Sequence, residues 1–228
     1  MSEPPGLTVL WCGGDSTSDG RFRPILDAAR PAEIHPIGPR PGKQIDPLLT
    51  GRVLIIGDDA DLAAVALRLL RRNLLATVTL AYATAEPTPV IRLHRLPTGP
   101  AAVDLARTGG AEEVNLVRDD VGGVLVGLGE LGPITAGTVY VDERRVLRGP
   151  AERIRVAPDP ANGLAVTVVR RRVAGVFGPR PTTTLGRAVQ LGMAPTTVRS
   201  DGRDHPRPMD RWTFYKHTEP LRLVRRLP

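Results

Sequence analysis

One stretch limits what this chain can fold into more than any other: Val53 to Asn73, VLIIGDDADLAAVALRLLRRN. Val53-Leu54-Ile55-Ile56 is an unbroken apolar run between Gly51 and Gly57, which predicts a short strand buried on both faces. Leu62, Val65, Ala66, Leu69 and Leu70 then recur at three- and four-residue spacing, which predicts a helix. Asp59 or Asp61 is placed to cap its first turn, and Arg71, Arg72 and Asn73 to close its last. A strand that feeds a helix through a tight glycine-acid turn is the place where open α/β sheets bind ligands. Whether this turn binds one is the functional question the chain poses.

Similar units flank it. Leu7 to Trp11 predicts a first strand, followed by a loop from Cys12 to Gly20 that offers glycines and hydroxyls to an anion, then a helix from Phe22 to Ala29. Glu33 to Ile37, Ala76 to Tyr82 and Val90 to Leu96 predict further strands, and Ala101 to Arg107 a short helix. These alternations predict an α/β domain over residues 1–108 with a small, mostly parallel sheet. From about Glu112 the pattern becomes short β-rich runs punctuated by Gly, Pro, Asn and Asp, including Gly137 to Val141, Arg153 to Val156 and Leu164 to Val169. That predicts an antiparallel β-sandwich domain over residues 109–228. Val173 to Thr184 reads as a loop between strands, and Trp212, Phe214 and Tyr215 as core or interface aromatics.

Composition excludes several classes. Cys12 is the single cysteine, so no internal disulfide or cysteine-based zinc site is available, and His35, His94, His205 and His217 are not at ligand spacing; no metal site is expected. No apolar run approaches the roughly 20 residues a membrane helix needs, and the first residues, MSEPPG, lack the features of a signal peptide. The cytoplasm is the expected compartment, with peripheral attachment to a membrane as an addition. Net charge is +7 and, with Lys43 and Lys216 the only lysines, it is carried by arginine. Nucleic acid is disfavoured as a partner because no helix-turn-helix, zinc finger or aromatic RNA-binding motif accompanies the charge. An anionic membrane surface suits the clusters Arg144-Arg145, Arg170-Arg171-Arg172 and Arg225-Arg226 better, and a protein partner or a homodimer is the other expectation.

The order of motifs resembles the diacylglycerol kinase catalytic family, relatives of the NAD kinases. Ile56-Gly57-Asp58-Asp59-Ala60-Asp61 stands where that family has a G-G-D-G-T turn, and Leu96-Pro97-Thr98-Gly99-Pro100 through Arg107 where it has L-P-x-G-T-x-N-D-x-A-R. Ala157-Pro158-Asp159-Pro160-Ala161-Asn162-Gly163 is similar to its A-P-x-A-x-x-D-G segment, and Ser200-Asp201-Gly202-Arg203 to its late D-G-E. The resemblance implies a nucleotide site built from Gly57, Asp58, Asp59, Thr98 and Gly99, with ATP and magnesium as cofactors and a cleft between two domains.

The departures carry the functional expectation. The second and third glycines of the family turn are Asp58 and Ala60, and its threonine is Asp61. Glycine lets backbone N–H groups approach phosphates closely, whereas three carboxylates repel them unless metal intervenes. Pro100 removes a hydroxyl and a backbone donor. Asn162 stands where the family has its proposed general base, and an amide cannot take up that proton, so no catalytic residue is assigned. The expectation is a degenerate member, a pseudokinase acting as a binding or regulatory module. The alternative is an active ATP- and magnesium-dependent lipid kinase acting on a diacylglycerol-like lipid, with Asp58, Asp59 and Asp61 on the metal and Asp159 or Asp201 as the base.

Overall fold

Val53, Leu54, Ile55 and Ile56 are fully buried, inside a six-stranded sheet. The computed structural model describes residues 6–13, 20–170 and 180–226 and divides into two units, Met1–Val114 with Glu219–Pro228, and Asn115–Thr218. The first unit contains strands β1 (Leu7–Trp11), β2 (Ile34–Pro36), β3 (Arg52–Ile56), β4 (Thr79–Ala83) and β5 (Gly110–Val114), joined by the C-terminal β18 (Leu221–Arg226). Its helices are α1 (Arg23–Ala29), α2 (Asp59–Arg72), α3 (Pro89–His94) and α4 (Pro100–Thr108). The sheet order is β2-β1-β3-β4-β18-β5, and every pairing is parallel except β18 with β5. The order reverses between β1 and β3, where such sheets leave a crevice beyond their carboxyl ends.

α2 packs with Leu62, Val65, Ala66 and Leu69 buried, and Leu70 only partly so. Arg68 is buried too, because its guanidinium grips Asp46 in two hydrogen bonds, Nε to Oδ1 at 2.9 Å and a terminal nitrogen to Oδ2 at 2.6 Å. Asn73 ends the helix in the left-handed region at φ 57°, a conformation Asn accepts more readily than most residues.

The expected strand from Val90 to Leu96 is instead α3. Thr88 Oγ1 accepts the Ile91 N–H at 3.2 Å, Pro89 occupies the first turn, and Val90, Ile91 and His94 are the buried face. Six residues are too few for alternation to be told from helical spacing, and the cap decided the matter. Thr88→Ala is therefore expected to cost about 1 kcal/mol by urea denaturation, as loss of a helix cap does; an unchanged midpoint would mean that the cap does not hold α3. The sheet also runs past the domain division expected after residue 108, since β5 and the returning β18 both pair into it.

The second unit is an antiparallel sandwich. Its strands are β6 (Val117–Asp119), β7 (Val124–Leu125), β8 (Gly129–Leu131), β9 (Gly137–Val141), β10 (Arg144–Arg148) and β11 (Arg153–Asp159). They are followed by β12 (Gly163–Val169), β13 (Thr182–Gly186), β14 (Ala188–Thr196), β15 (Val198–Ser200), β16 (Arg203–Asp204) and β17 (Met209–Lys216). The two sheets run β10-β9-β14-β17-β6-β7 and β13-β12-β11-β8-β15-β16. Val139, Val189, Leu191, Trp212 and Phe214 of the first and Ile154, Val156, Leu164, Val166 and Val198 of the second form the core. Trp212 and Phe214 are thus core residues, 2% and 0% exposed, while Tyr215 points outward and is half-buried. Thr182 to Thr184, expected in a loop, lie in β13, where Thr183 and Thr167 share a hydroxyl hydrogen bond of 2.8 Å. The preceding part of that expected loop, residues 173–179, lies outside the described residues.

Candidate functional site

The two turns expected to face a nucleotide meet at the carboxyl edge of the parallel sheet. Gly57 N–H donates to the Ala83 carbonyl at 3.2 Å, and Gly99 N–H to the Thr84 carbonyl at 2.9 Å. Gly57, Asp58 and Asp59 on one side and Thr98 and Gly99 on the other are therefore anchored to successive residues at the end of β4. Gly99 sits at φ 66° and ψ −150°, which favours glycine, and leads directly into Pro100, which has no N–H to offer an anion. Of the loop after β1, residues 14–19 lie outside the described residues.

Two of the three acids of the first turn, Asp59 and Asp61, point inward. The cap of α2 is Asp58, not Asp59 or Asp61 as expected. Asp58 accepts the Asp61 N–H at 3.0 Å, and Asp61 reciprocates by accepting the Asp58 N–H at 2.9 Å, closing a capping box. The other Asp61 oxygen accepts the Arg40 N–H at 2.6 Å. Asp59 accepts the Tyr82 hydroxyl at 2.9 Å and, through its second oxygen, the Val90 N–H at 3.2 Å, which ties the start of α3 to the start of α2. Asp59 and Asp61 are 5% and 3% exposed, whereas Asp58 faces solvent. Sequence spacing showed the three acids but not where they aim, because Arg40 and Tyr82 come from other elements.

Burial sets the local acidity. It raises Asp59 above the usual carboxylate range against hydrogen bonds from Thr88, Val90 and Tyr82 that favour the charged form. Asp61 is pushed up to about 6, first by burial and then by the neighbouring Asp58 charge, with the Arg40 and Asp58 N–H groups opposing. Burial, then Asp61 and Asp58, also push the buried Cys12 thiol upward, which favours its protonated form.

These residues do not fit a magnesium nucleotide. A Cβ built on Gly57 would collide with Asp61 Oδ2, so the space that glycine opens over the backbone is filled by a carboxylate. That carboxylate also takes the Asp58 and Arg40 N–H groups, so neither is left to donate to an anion. Both oxygens of Asp59 and both of Asp61 accept protein hydrogen bonds, and among the described residues no group of three or more His, Cys, Asp or Glu is arranged to hold a metal.

The candidate base positions lie in the second unit. Asn162 is exposed in the turn between β11 and β12, where its backbone N–H and side-chain amide both donate to Asp159 Oδ1, at 2.7 and 3.0 Å. Partial burial would raise Asp159, but these two hydrogen bonds and the Ala161 N–H hold it below the usual range, the reverse of what a general base needs. Asp201 is 3% exposed and accepts the N–H groups of Val126, Gly127 and Leu128 at 2.9, 2.7 and 3.0 Å. Both acids fasten turns.

A mostly parallel α/β sheet with its glycine turns at one edge, followed by an antiparallel sandwich, is the fold shared by diacylglycerol kinases and NAD kinases. The chain superimposes on a diacylglycerol kinase from Bacillus anthracis strain Sterne with a TM-score of 0.69 and 11% identity, over 99% of this chain and 98% of that one. An NAD kinase from Archaeoglobus fulgidus, solved in complex with ATP, matches with a TM-score of 0.60 and 12% identity over 96% and 94%. Yeast NADH kinase, solved with NADH, matches at 0.57 and 10% over 98% and 88%. No protein-family model matches the sequence, and neither does any curated protein. Among the described residues no helix is long and apolar enough to cross a membrane.

Proposed function

We propose that this is a diacylglycerol-kinase-like protein without phosphoryl-transfer activity, which acts as a binding or regulatory module for a protein partner or an anionic membrane surface. One observation carries the reading: the Asp61 carboxylate occupies the space over Gly57 and consumes the N–H groups there. A buried anion in that position opposes phosphate by charge and by volume together. Asn162 supports it, since its amide cannot act as a base and is spent on Asp159.

The test is a calorimetric and thermal-shift titration with ATP, with and without magnesium, paired with a phosphorylation assay on diacylglycerol vesicles. Flat curves at millimolar nucleotide and no lipid product are expected. A magnesium-dependent rise in Tm would overturn the proposal and favour a lipid kinase with rearranged ligands.

A further inference from the structure

The outward face of the β10-β9-β14-β17-β6-β7 sheet carries chemistry that neither the core nor the nucleotide turn uses. Strand register assembles it: Arg145, Tyr140, Gln190 and Thr213 stand abreast on one rung, and Arg148 and Arg211 on the next. On the far side Arg118 stands opposite Tyr215, its guanidinium 5.8 Å from the ring centre. Tyr140 is 39% exposed and Arg145, Arg148 and Arg211 are exposed. Gly192, diagonal to Tyr140, has open space above it and leaves a bare step beside the ring.

Charge on this face is unbalanced. None of its four arginines forms an ion pair among the described residues. Of the acids of these strands, Asp119 accepts the Val121 and Gly123 N–H groups, and the exposed Asp210 forms no ion pair with any of the four. The opposite sheet of the same unit behaves differently, for Glu130 pairs with Arg153 and Arg155, and Asp204 with Arg199. Four arginines without an ion pair on one face repel one another and attract an anion. At about 4.8 Å between neighbouring strands, β10 to β6 spans roughly 19 Å, which suits a polyanion better than a single phosphate.

We propose that this face binds single-stranded nucleic acid, with phosphates on the arginines and a base stacked on Tyr140. Insertion into a membrane calls for protruding aliphatic side chains, and of the exposed large hydrophobics among the described residues, Val121, Tyr140 and Leu185, only Tyr140 stands on the face, where its ring suits stacking on a base. The absence of a linear nucleic-acid motif does not bear against it, because the face is assembled from strands spread between Arg118 and Tyr215. It holds whether or not the nucleotide turn is empty.

Fluorescence anisotropy with short labelled oligothymidine and oligouridine strands, at salt from about 50 to 200 mM, tests it. Binding is expected, with a slope of log K against log salt of about −3 for four phosphates. Tyr140→Ala should weaken it about tenfold or more, Arg145→Ala with Arg148→Ala should flatten the slope, and Arg153→Ala with Arg155→Ala on the other sheet should change neither. No binding at the lowest salt would overturn the proposal. So would heparin or anionic phosphatidylglycerol vesicles binding as tightly with Tyr140→Ala silent, which would make the face a general polyanion or membrane surface.

Discussion

Asp201→Ala is expected to lower the stability of the chain by about 3–5 kcal/mol, measured by urea denaturation followed through tryptophan fluorescence. Its carboxylate accepts three backbone N–H groups from Val126, Gly127 and Leu128, and its removal leaves these donors without the acceptor that satisfies them in a buried site. Asp201 also sits at φ 47°, where alanine is strained and asparagine is tolerated. Asp201→Asn keeps the backbone geometry and one acceptor oxygen, so an intermediate loss is expected. The pair of variants separates two roles for this acid. A substitute general base would lose phosphoryl transfer on replacement and keep its fold, whereas a structural acid loses the fold in proportion to the acceptors removed.

The parts of the fold legible in the sequence were those whose information is local. β3 and α2 could be read because a continuous buried run, a glycine, capping acids and a three-four repeat are all contained in Val53 to Asn73. α3 could not, since six residues carry too little periodicity and Thr88 and Pro89 read equally well as a turn before a strand. β18 could not be placed in the first sheet either, because its partners β4 and β5 lie more than a hundred residues upstream.

The same divide runs through the candidate site. Asp58, Asp59 and Asp61 were visible as a local departure from glycine, and their charge suggested repulsion of phosphate from the outside. In the folded chain Arg40, Tyr82 and Val90 draw two of these carboxylates inward and Asp61 comes to rest over Gly57, so any opposition to phosphate would come from inside the turn. The arginine and tyrosine face of the sandwich is the extreme case. Its residues alternate with core side chains along each strand and become neighbours only through register, so no window of sequence contains them.

Asp61 supplies the other large effect, and its sign depends on pH. At pH 7, Asp61→Ala leaves the Arg40 and Asp58 N–H groups without their acceptor and opens the capping box, but it also relieves the cost of a buried carboxylate. The net loss is expected to be about 2–3 kcal/mol. The folded-state pKa of about 6 lies above the ordinary value of 3.8, so between these values the native chain holds a proton that the unfolded chain has released. Stability contributed by Asp61 therefore falls as pH rises through that window and is recovered on acidification. Wild type should gain stability relative to Asp61→Asn as pH is lowered from 7 to 4. Asp46 and Asp204, held low by their hydrogen bonds to Arg68 and Arg199, act with the opposite sign in both proteins and cancel in the difference. Parallel pH profiles for the two proteins would mean that Asp61 is not held as a buried carboxylate over Gly57, and the obstruction of the nucleotide turn would lose its physical basis. Asp61→Asn also separates charge from volume at that turn. On the proposed reading, a gain of magnesium-dependent ATP binding would assign the closure to charge, and continued silence would assign it to the side chain filling the glycine space.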